Sequence, residues 1–274
     1  SMVGNALMTA MQREGYKIIG TSRRETSDHT YLDVTWDLEK WPDLPECDSL
    51  IICSSLNKLK HCQNDRAFSY AVNVDGLEKA IKKYKSSQTK IIFFSSSHVF
   101  SGQTPLRRED EMTNPQNVLG EHKVIGEQMV LSHGGLVVRM TKIIDSKFLR
   151  FKDWANNLKN LKPVDAFSNL MTSLVTLDSL VKVMDVAVRE DWSGIIHVSG
   201  PDERSYSDIA LMLARGLGCD EGLVHYVEEE KEVIGRTYAH TTLQISERVK
   251  GINIELPDVE TVVRQWCRDF IRSE

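Results

Sequence analysis

The sequence predicts a doubly wound α/β fold, in which helices cover both faces of a parallel sheet. Four short segments contain apolar runs that are continuous instead of alternating with polar residues, as in strands that are buried on both faces. These segments are residues 16–22, 49–55, 89–97 and 135–140. Two segments of helical periodicity follow the second and third of them, at residues 68–85 and 120–131. The resulting βαβα order is typical of a parallel sheet wound in both directions.

The pattern loosens into shorter elements from about residue 148, which predicts a smaller C-terminal lobe. A last helix is expected to open at "LPDVE", with Pro257 near its first turn. Apolar residues at helical spacing give this helix one buried face, formed by Val259, Val262, Val263, Trp266 and Phe270.

Composition excludes several classes of protein. The chain has 274 residues, of which 41% are hydrophobic and 27% charged, enough for one large domain with or without an appendage. A net charge of −5 disfavours nucleic acid and anionic membranes as partners, since both require a basic face. The sequence has neither a run of about 18 apolar residues nor a signal-peptide pattern, so we expect a cytoplasmic protein. Its five cysteines lack metal-ligand spacing, and no metal site is predicted.

The N-terminal segment "SMVGNALMTAMQREGYKIIGTSRR" looks like the second half of a βαβ dinucleotide-binding unit. We expect Gly4 in a turn, followed by a helix carrying Leu7 and Met11 and then by a strand. A doubly wound sheet without its central strand would leave backbone groups unpaired, at a cost of several kcal/mol. We therefore expect residues before Ser1. The alternative is that Gly4 simply caps a helix.

The residues after this predicted strand bear on cofactor choice. In doubly wound dinucleotide-binding folds this position meets the adenosine ribose: a carboxylate binds the 2′-hydroxyl of NAD, and arginine accommodates the 2′-phosphate of NADP. The sequence has Arg23 and Arg24 there. A guanidinium group can hold a phosphate through two hydrogen bonds. NADPH is therefore favoured over NAD, and the alternative is a solvated surface pair.

Six segments carry a resemblance to a known family. They are "GNALMTAMQREGYKIIGTSRR", "YLDVT", "VNVDG", "IIFFSSSHVFSG", "LRREDEMTNPQNVLGEHKVIGE" and "IIHVSGPDERSYSDIA". In order and spacing they resemble the extended short-chain dehydrogenases/reductases, and within them the dTDP-4-dehydrorhamnose reductases and NAD-dependent epimerase-like proteins. The resemblance implies a Rossmann-like NADP-binding domain over residues 1–145. It further implies a mainly C-terminal substrate-binding lobe over residues 146–274, some segments of which return to the first domain.

The resemblance assigns roles to individual residues. In such enzymes a serine or threonine at a strand end orients the substrate carbonyl, a tyrosine delivers a proton, and a lysine four residues later binds the nicotinamide ribose. Ser96 takes the serine position and Lys123 the lysine position, whereas Leu119 stands where the tyrosine would be. The cofactor-binding residues that we expect are Gly4, Arg23, Arg24, Asp33, Ser54, Asn73 and Lys123.

The missing tyrosine matters because leucine can neither donate nor accept a proton. Reduction of a ketone yields an alkoxide that must be protonated, and a positioned acid contributes about a hundred- to ten-thousand-fold to the rate. Three readings remain open. In the first, His98 supplies the proton in a rewired reductase. In the second, the protein binds a cofactor or a nucleotide sugar without redox chemistry, like the regulatory subunit of methionine adenosyltransferase. In the third, the reduction is water-mediated or very slow.

The sequence thus predicts an NADP-binding, sugar-nucleotide reductase-like protein with attenuated or altered chemistry, and leaves a non-catalytic regulatory subunit as the alternative. The expected partner is a nucleotide sugar or related small molecule, and a homodimer is compatible with the resemblance. In the C-terminal lobe Ser205 and Asp208 are expected to cap a helix. One arginine is expected to pair with the substrate diphosphate, from the set Arg204, Arg236 and Arg248.

Overall fold

A computed structural model describes residues 1–25, 28–84, 88–228 and 239–273. Its helices are α1 (Met2–Arg13), α2 (Leu59–Asn64), α3 (Arg66–Tyr70), α4 (Gly76–Tyr84), α5 (Val118–Ser132), α6 (Leu149–Lys159), α7 (Leu177–Arg189), α8 (Tyr206–Leu217), α9 (Glu247–Gly251) and α10 (Val259–Arg272). Its strands are β1 (Thr21–Ser22), β2 (Thr30–Tyr31), β3 (Ser49–Ile52), β4 (Lys90–Ser96), β5 (Leu136–Met140), β6 (Lys142–Ile144), β7 (Val164–Phe167), β8 (Met171–Thr172), β9 (Leu174–Thr176), β10 (Gly194–Val198), β11 (Arg204–Ser205) and β12 (Val224–Val227). No helix of these ranges is both long and apolar enough to cross a membrane.

The chain divides into two compact units. The first unit comprises Ser1–Val99, Thr113–Arg139 and Val181–Ile196, and the second unit comprises Phe100–Met112, Met140–Leu180 and His197–Glu274. A segment of the C-terminal half thus belongs with the N-terminal half, and residues 100–112 belong with the C-terminal half. The separate cofactor and substrate roles of residues 1–145 and 146–274 stay a prediction.

The main sheet of the first unit contains four strands in the order β10-β5-β4-β3. Strands β3 and β4 run parallel, with Ile51 opposite Ile92. The second, third and fourth apolar segments of the sequence all form strands of this sheet. The α/β fold with a parallel sheet is therefore confirmed.

The N-terminal expectations need correction. Gly4 lies inside the first turn of α1 instead of in a turn before the helix, and its amide is capped by the Ser1 hydroxyl. Strand β1 pairs only at Thr21 and Ser22, in parallel with β2. A strand exists only where a neighbour supplies ladder hydrogen bonds, and Ile18 lies before the paired residues, so its assignment to a strand was wrong.

Helices α4 and α5 cover the main sheet through an apolar cluster. Helix α4 buries Leu77, Ile81 and Tyr84, which pack with Phe93 of β4 and with residues of α5 and β5. Gly126 of α5 allows the close approach, because a Cβ atom there would lie 2.7 Å from the Phe93 ring. This packing fixes α5 against the strand that carries the candidate active-site residues.

The second unit is built on short strand pairs and helices. Strands β7 and β12 are parallel, β6 and β9 are parallel, and β8 and β11 are antiparallel. Helices α6, α8 and α10 enclose its apolar core, to which α10 contributes the five apolar residues predicted from their spacing. The predicted cap of α8 is confirmed, since Ser205 and Asp208 form a capping box. Pro257 precedes the α10 cap residue, Asp258, and therefore lies just outside the first turn.

Candidate active site

Strand β4 carries the first candidate residues at its carboxyl end, where open α/β sheets bind ligands. Ser96 is its last residue and is half-buried, and its hydroxyl oxygen accepts a 3.3 Å hydrogen bond from the backbone N–H of His98. The chain turns there and packs tightly on the start of α5, because a Cβ atom on Gly120 would lie 2.2 Å from the His98 carbonyl oxygen. Ser96 and His98 are therefore brought together at one strand end.

Helix α5 delivers Lys123 to the same strand. The helix begins after Asn117, whose side chain accepts a 2.8 Å hydrogen bond from the Gly120 amide. Lys123 is 6% exposed, and its Nζ donates a 2.7 Å hydrogen bond to the carbonyl of Phe94, two residues before Ser96. The ammonium group also lies 4.7 Å from the centroid of the Phe93 ring.

Burial changes the acidity of this lysine. Removal from water lowers the pKa of Lys123 to about 8, while the nearby Glu127, Cys62 and Cys53 oppose that change. Burial also raises the pKa of the Cys62 thiol, and that of Cys53 to about 11, so both thiols stay protonated near neutral pH. Lys123 is consequently a cation at pH 7 that needs little energy to become neutral.

A buried ion pair lies one helical turn beyond Lys123. Glu127 accepts two hydrogen bonds from the Arg139 guanidinium, at 2.9 and 2.7 Å, and one of 2.5 Å from the Ser95 hydroxyl. The sequence analysis did not identify these residues. Arg139 was nevertheless visible as a charged residue in an otherwise apolar strand, and such a residue requires a buried partner.

Leu119, which the resemblance predicts to stand at the proton-donor position, does not face solvent. It is 3% exposed and belongs to an apolar cluster with Val118 and Cys62, which Leu56 and Leu59 flank. The residues of α2 and the preceding loop thus cover the position. Residue 119 therefore supplies packing and no ionisable group.

Three of the expected cofactor residues, Asn73, Ser54 and Gly4, lie in or near the loop that follows β3. Asn73 accepts a 2.7 Å hydrogen bond from the amide of Leu56 and donates one of 3.0 Å to its carbonyl, which fixes the loop after β3. Ser54 is exposed in this loop. A Cβ atom on Gly4 would lie 3.3 Å from Cys53 Cβ, so the glycine lets the start of α1 approach the end of β3.

The pair expected to choose between NAD and NADP is exposed. Arg23 and Arg24 are both accessible to solvent, and the Arg24 amide donates a 3.0 Å hydrogen bond to the Ser22 hydroxyl. Asp33 lies within electrostatic range of Arg23. Although burial alone would raise the pKa of Asp33, two hydrogen bonds from Thr35 and the charge of Arg23 lower it. Arginine and carboxylate are therefore neighbours at this end of the first unit.

Three arginines of the second unit were candidates for binding the substrate diphosphate. Arg204 forms a 3.2 Å ion pair with Asp202. Arg248 lies in α9, and Arg236 lies outside the described residues. Each role stays a prediction.

Comparisons with known proteins agree with this fold. The model of the family described as "RmlD substrate binding domain" matches residues 1–270. A dTDP-4-keto-6-deoxy-D-glucose reductase of Streptomyces niveus is 23% identical over 239 residues, which cover 84% of this chain and 80% of the relative. Methionine adenosyltransferase 2 subunit beta of Xenopus tropicalis is 31% identical, but only over 93 residues, or 33% of this chain and 28% of that protein.

Among solved structures, the dTDP-4-dehydrorhamnose reductase of Bacillus anthracis in complex with NADP superposes with a TM-score of 0.81 at 18% identity. The match covers 99% of this chain and 95% of that one, and at this identity it shows the fold alone. The match of the family model over nearly the whole length is decisive: the chain belongs to the RmlD substrate binding domain family.

Proposed function

We propose that this protein binds NADPH in its first unit and acts on a nucleotide-activated 4-keto sugar, with a reduction step weakened by the loss of the tyrosine. The observation that carries the proposal is the arrangement at the end of β4. There Ser96 and Lys123 are kept, and Leu119 is packed where an acid would be needed. Family membership and the name of the Streptomyces relative support the substrate class.

The residues of the first unit fit a nicotinamide cofactor. A lysine ammonium has three N–H donors, and among the described residues Lys123 Nζ makes one hydrogen bond, to Phe94. Two donors are left for the hydroxyls of a ribose. The exposed guanidinium groups of Arg23 and Arg24 suit a 2′-phosphate, which is the basis for preferring NADPH.

When bound, NADPH supplies a hydride to the substrate carbonyl. The Ser96 hydroxyl is placed to donate a hydrogen bond to that carbonyl, and the amide of His98 orients the hydroxyl by bonding to its oxygen. Leu119 cannot protonate the alkoxide, so the proton must come from water or from His98. Water is not a positioned acid, and such an acid typically contributes about a hundred- to ten-thousand-fold to the rate. Transfer from His98 requires the substrate carbonyl to turn, which near-attack geometry tolerates poorly.

Isothermal titration with NADPH and NADH, followed by single-turnover oxidation of NADPH with dTDP-4-keto-6-deoxyglucose, tests the proposal. We expect tighter binding of NADPH and slow but measurable oxidation. Binding without any oxidation would favour the alternative, a non-catalytic cofactor- or nucleotide-sugar-binding subunit, which the burial of Leu119 also allows. Absence of binding by either cofactor would refute the proposal.

A further inference from the structure

The buried ion pair of the first unit lies next to both candidate active-site residues. Glu127 follows Lys123 by one turn of α5, so both side chains lie on the same face of the helix. Ser95, which donates to Glu127, immediately precedes Ser96 on β4. The Glu127 carboxylate therefore bonds to the residue before Ser96 and lies one helical turn from Lys123.

Three elements meet at this carboxylate. Glu127 comes from α5, Ser95 from β4, and Arg139 from β5, and Glu127 and Arg139 are each 3% exposed. A buried carboxylate must be hydrogen-bonded to be tolerated, and the three bonds to its oxygens meet that need. Slipping of β4 along α5 would break the bond from Ser95.

We propose that Glu127 is a positioning residue, which holds Ser96 and Lys123 in a fixed relation at the end of β4 and supplies the negative charge that keeps Lys123 cationic. The inference rests on the proposed cofactor role of Lys123. Stability alone is a poor reason for such a pair, because apolar residues of similar volume replace a buried ion pair without loss in many proteins.

The surroundings of Lys123 make Glu127 its main source of negative charge. From β4 the lysine meets the Phe94 carbonyl and the Phe93 ring, which are neutral. Cys62 of α2 and Cys53 after β3 are thiols that burial keeps protonated. Of the charged groups that affect the pKa of Lys123, Glu127 raises it most.

The decisive variant is Glu127→Gln, whose amide retains the shape but loses the charge. The titration midpoint of Lys123 is measured by NMR of ε-carbon-labelled lysine in the cofactor-free protein. We expect the midpoint to fall by about one pH unit, as for loss of a nearby opposite charge. The pH at which NADPH affinity is lost should fall in parallel.

Two further variants separate charge from geometry. Ser95→Ala keeps the charge and loosens β4, so NADPH should bind more weakly while the Lys123 midpoint stays in place. Glu78→Gln is the matched control, since Glu78 forms an exposed ion pair with Lys82 on α4 and should change neither quantity. If Glu127→Gln does not fold, the double variant Glu127→Met, Arg139→Leu replaces the pair with apolar residues. The Lys123 midpoint should still fall, but by less, because removal of the Arg139 cation offsets part of the lost carboxylate charge.

An unchanged Lys123 midpoint in a folded Glu127 variant would overturn the charge role, and unchanged NADPH affinity in Ser95→Ala would overturn the geometric role. Failure of the proposed function looks different. In that case the unmodified protein binds neither nicotinamide cofactor, while the Lys123 midpoint still responds to Glu127→Gln.

Discussion

Leu119 and Lys123 lie one turn apart on α5, and both side chains are buried. The first packs against a thiol and leucines, and the second bonds to a backbone carbonyl. One stretch of α5 therefore carries an apolar group and an ammonium side by side.

Replacement of Lys123 by methionine should stabilise the protein near neutral pH. The pKa of Lys123 is about 8 in the folded protein and 10.5 ordinarily, so the unfolded chain binds more protons between these values. The free energy of unfolding of the unmodified protein should therefore rise with pH from about 8 to about 10.5, and the cost of burying the charge is fully present below pH 8. That cost is about 3 kcal/mol, from a pKa difference of about 2.5 units.

Chemical denaturation of Lys123→Met and of the unmodified protein between pH 7 and pH 10 measures the difference. The variant should be the more stable at pH 7, and the gap should narrow toward pH 10. Lys82→Met, at a lysine that is 59% exposed on α4, serves as control and should leave the pH profile as it is. A gap that does not depend on pH would show that Lys123 is not a strained cation.

Replacement of Leu119 by tyrosine should cost stability. The larger ring must enter the cluster with Cys62, Leu56 and Leu59, and overpacking of this kind typically costs about 1 to 3 kcal/mol. Restoration of reduction by the new phenol therefore requires α2 and its preceding loop to move. We expect a lower melting temperature and only partial recovery of NADPH oxidation.

Leu119→Phe is the matched control, because it adds the same ring without the hydroxyl. Both variants should lose similar stability, and only the tyrosine should increase the rate of NADPH oxidation. Equal rates in the two variants would contradict a missing proton donor as the cause of the slow reaction.

Much of the fold follows from the sequence, since the runs around Ile51 and Ile92 are apolar throughout, as buried parallel strands require. Ser96 and Lys123 were predicted from the family resemblance, and the structure has Ser96 at the end of β4 and Lys123 on α5; their roles stay predictions. Ile18 was assigned wrongly because a strand depends on its ladder partners, which a local pattern does not contain. The Glu127 network was missed because it depends on the mutual register of three elements.

Simultaneous replacement of Arg23 and Arg24 by alanine should remove the preference for NADPH over NADH. Each hydrogen bond to the charged 2′-phosphate that is lost should cost about 1.5 to 3 kcal/mol of binding free energy. NADH binding should change little, because the Asp33 carboxylate, which two hydrogen bonds from Thr35 hold in place, remains available to a ribose hydroxyl. Isothermal titration with both cofactors measures the preference, and Arg13→Ala, at an exposed arginine ending α1, is the control. Equal affinities for the two cofactors in the unmodified protein would contradict the assignment.

Replacement of His98 by phenylalanine tests whether histidine has taken over proton delivery. We expect the unmodified protein to reduce a 4-keto nucleotide sugar about a hundred- to ten-thousand-fold more slowly than a relative with the tyrosine, because residue 119 carries no acid. His98→Phe should leave this slow rate in place, since the backbone amide that orients Ser96 survives the change. Single-turnover NADPH oxidation is the measurement, with His133→Phe, at an exposed histidine ending α5, as the control. A rate that collapses in His98→Phe but not in His133→Phe, and that falls in the unmodified protein as pH rises, would establish His98 as the proton donor.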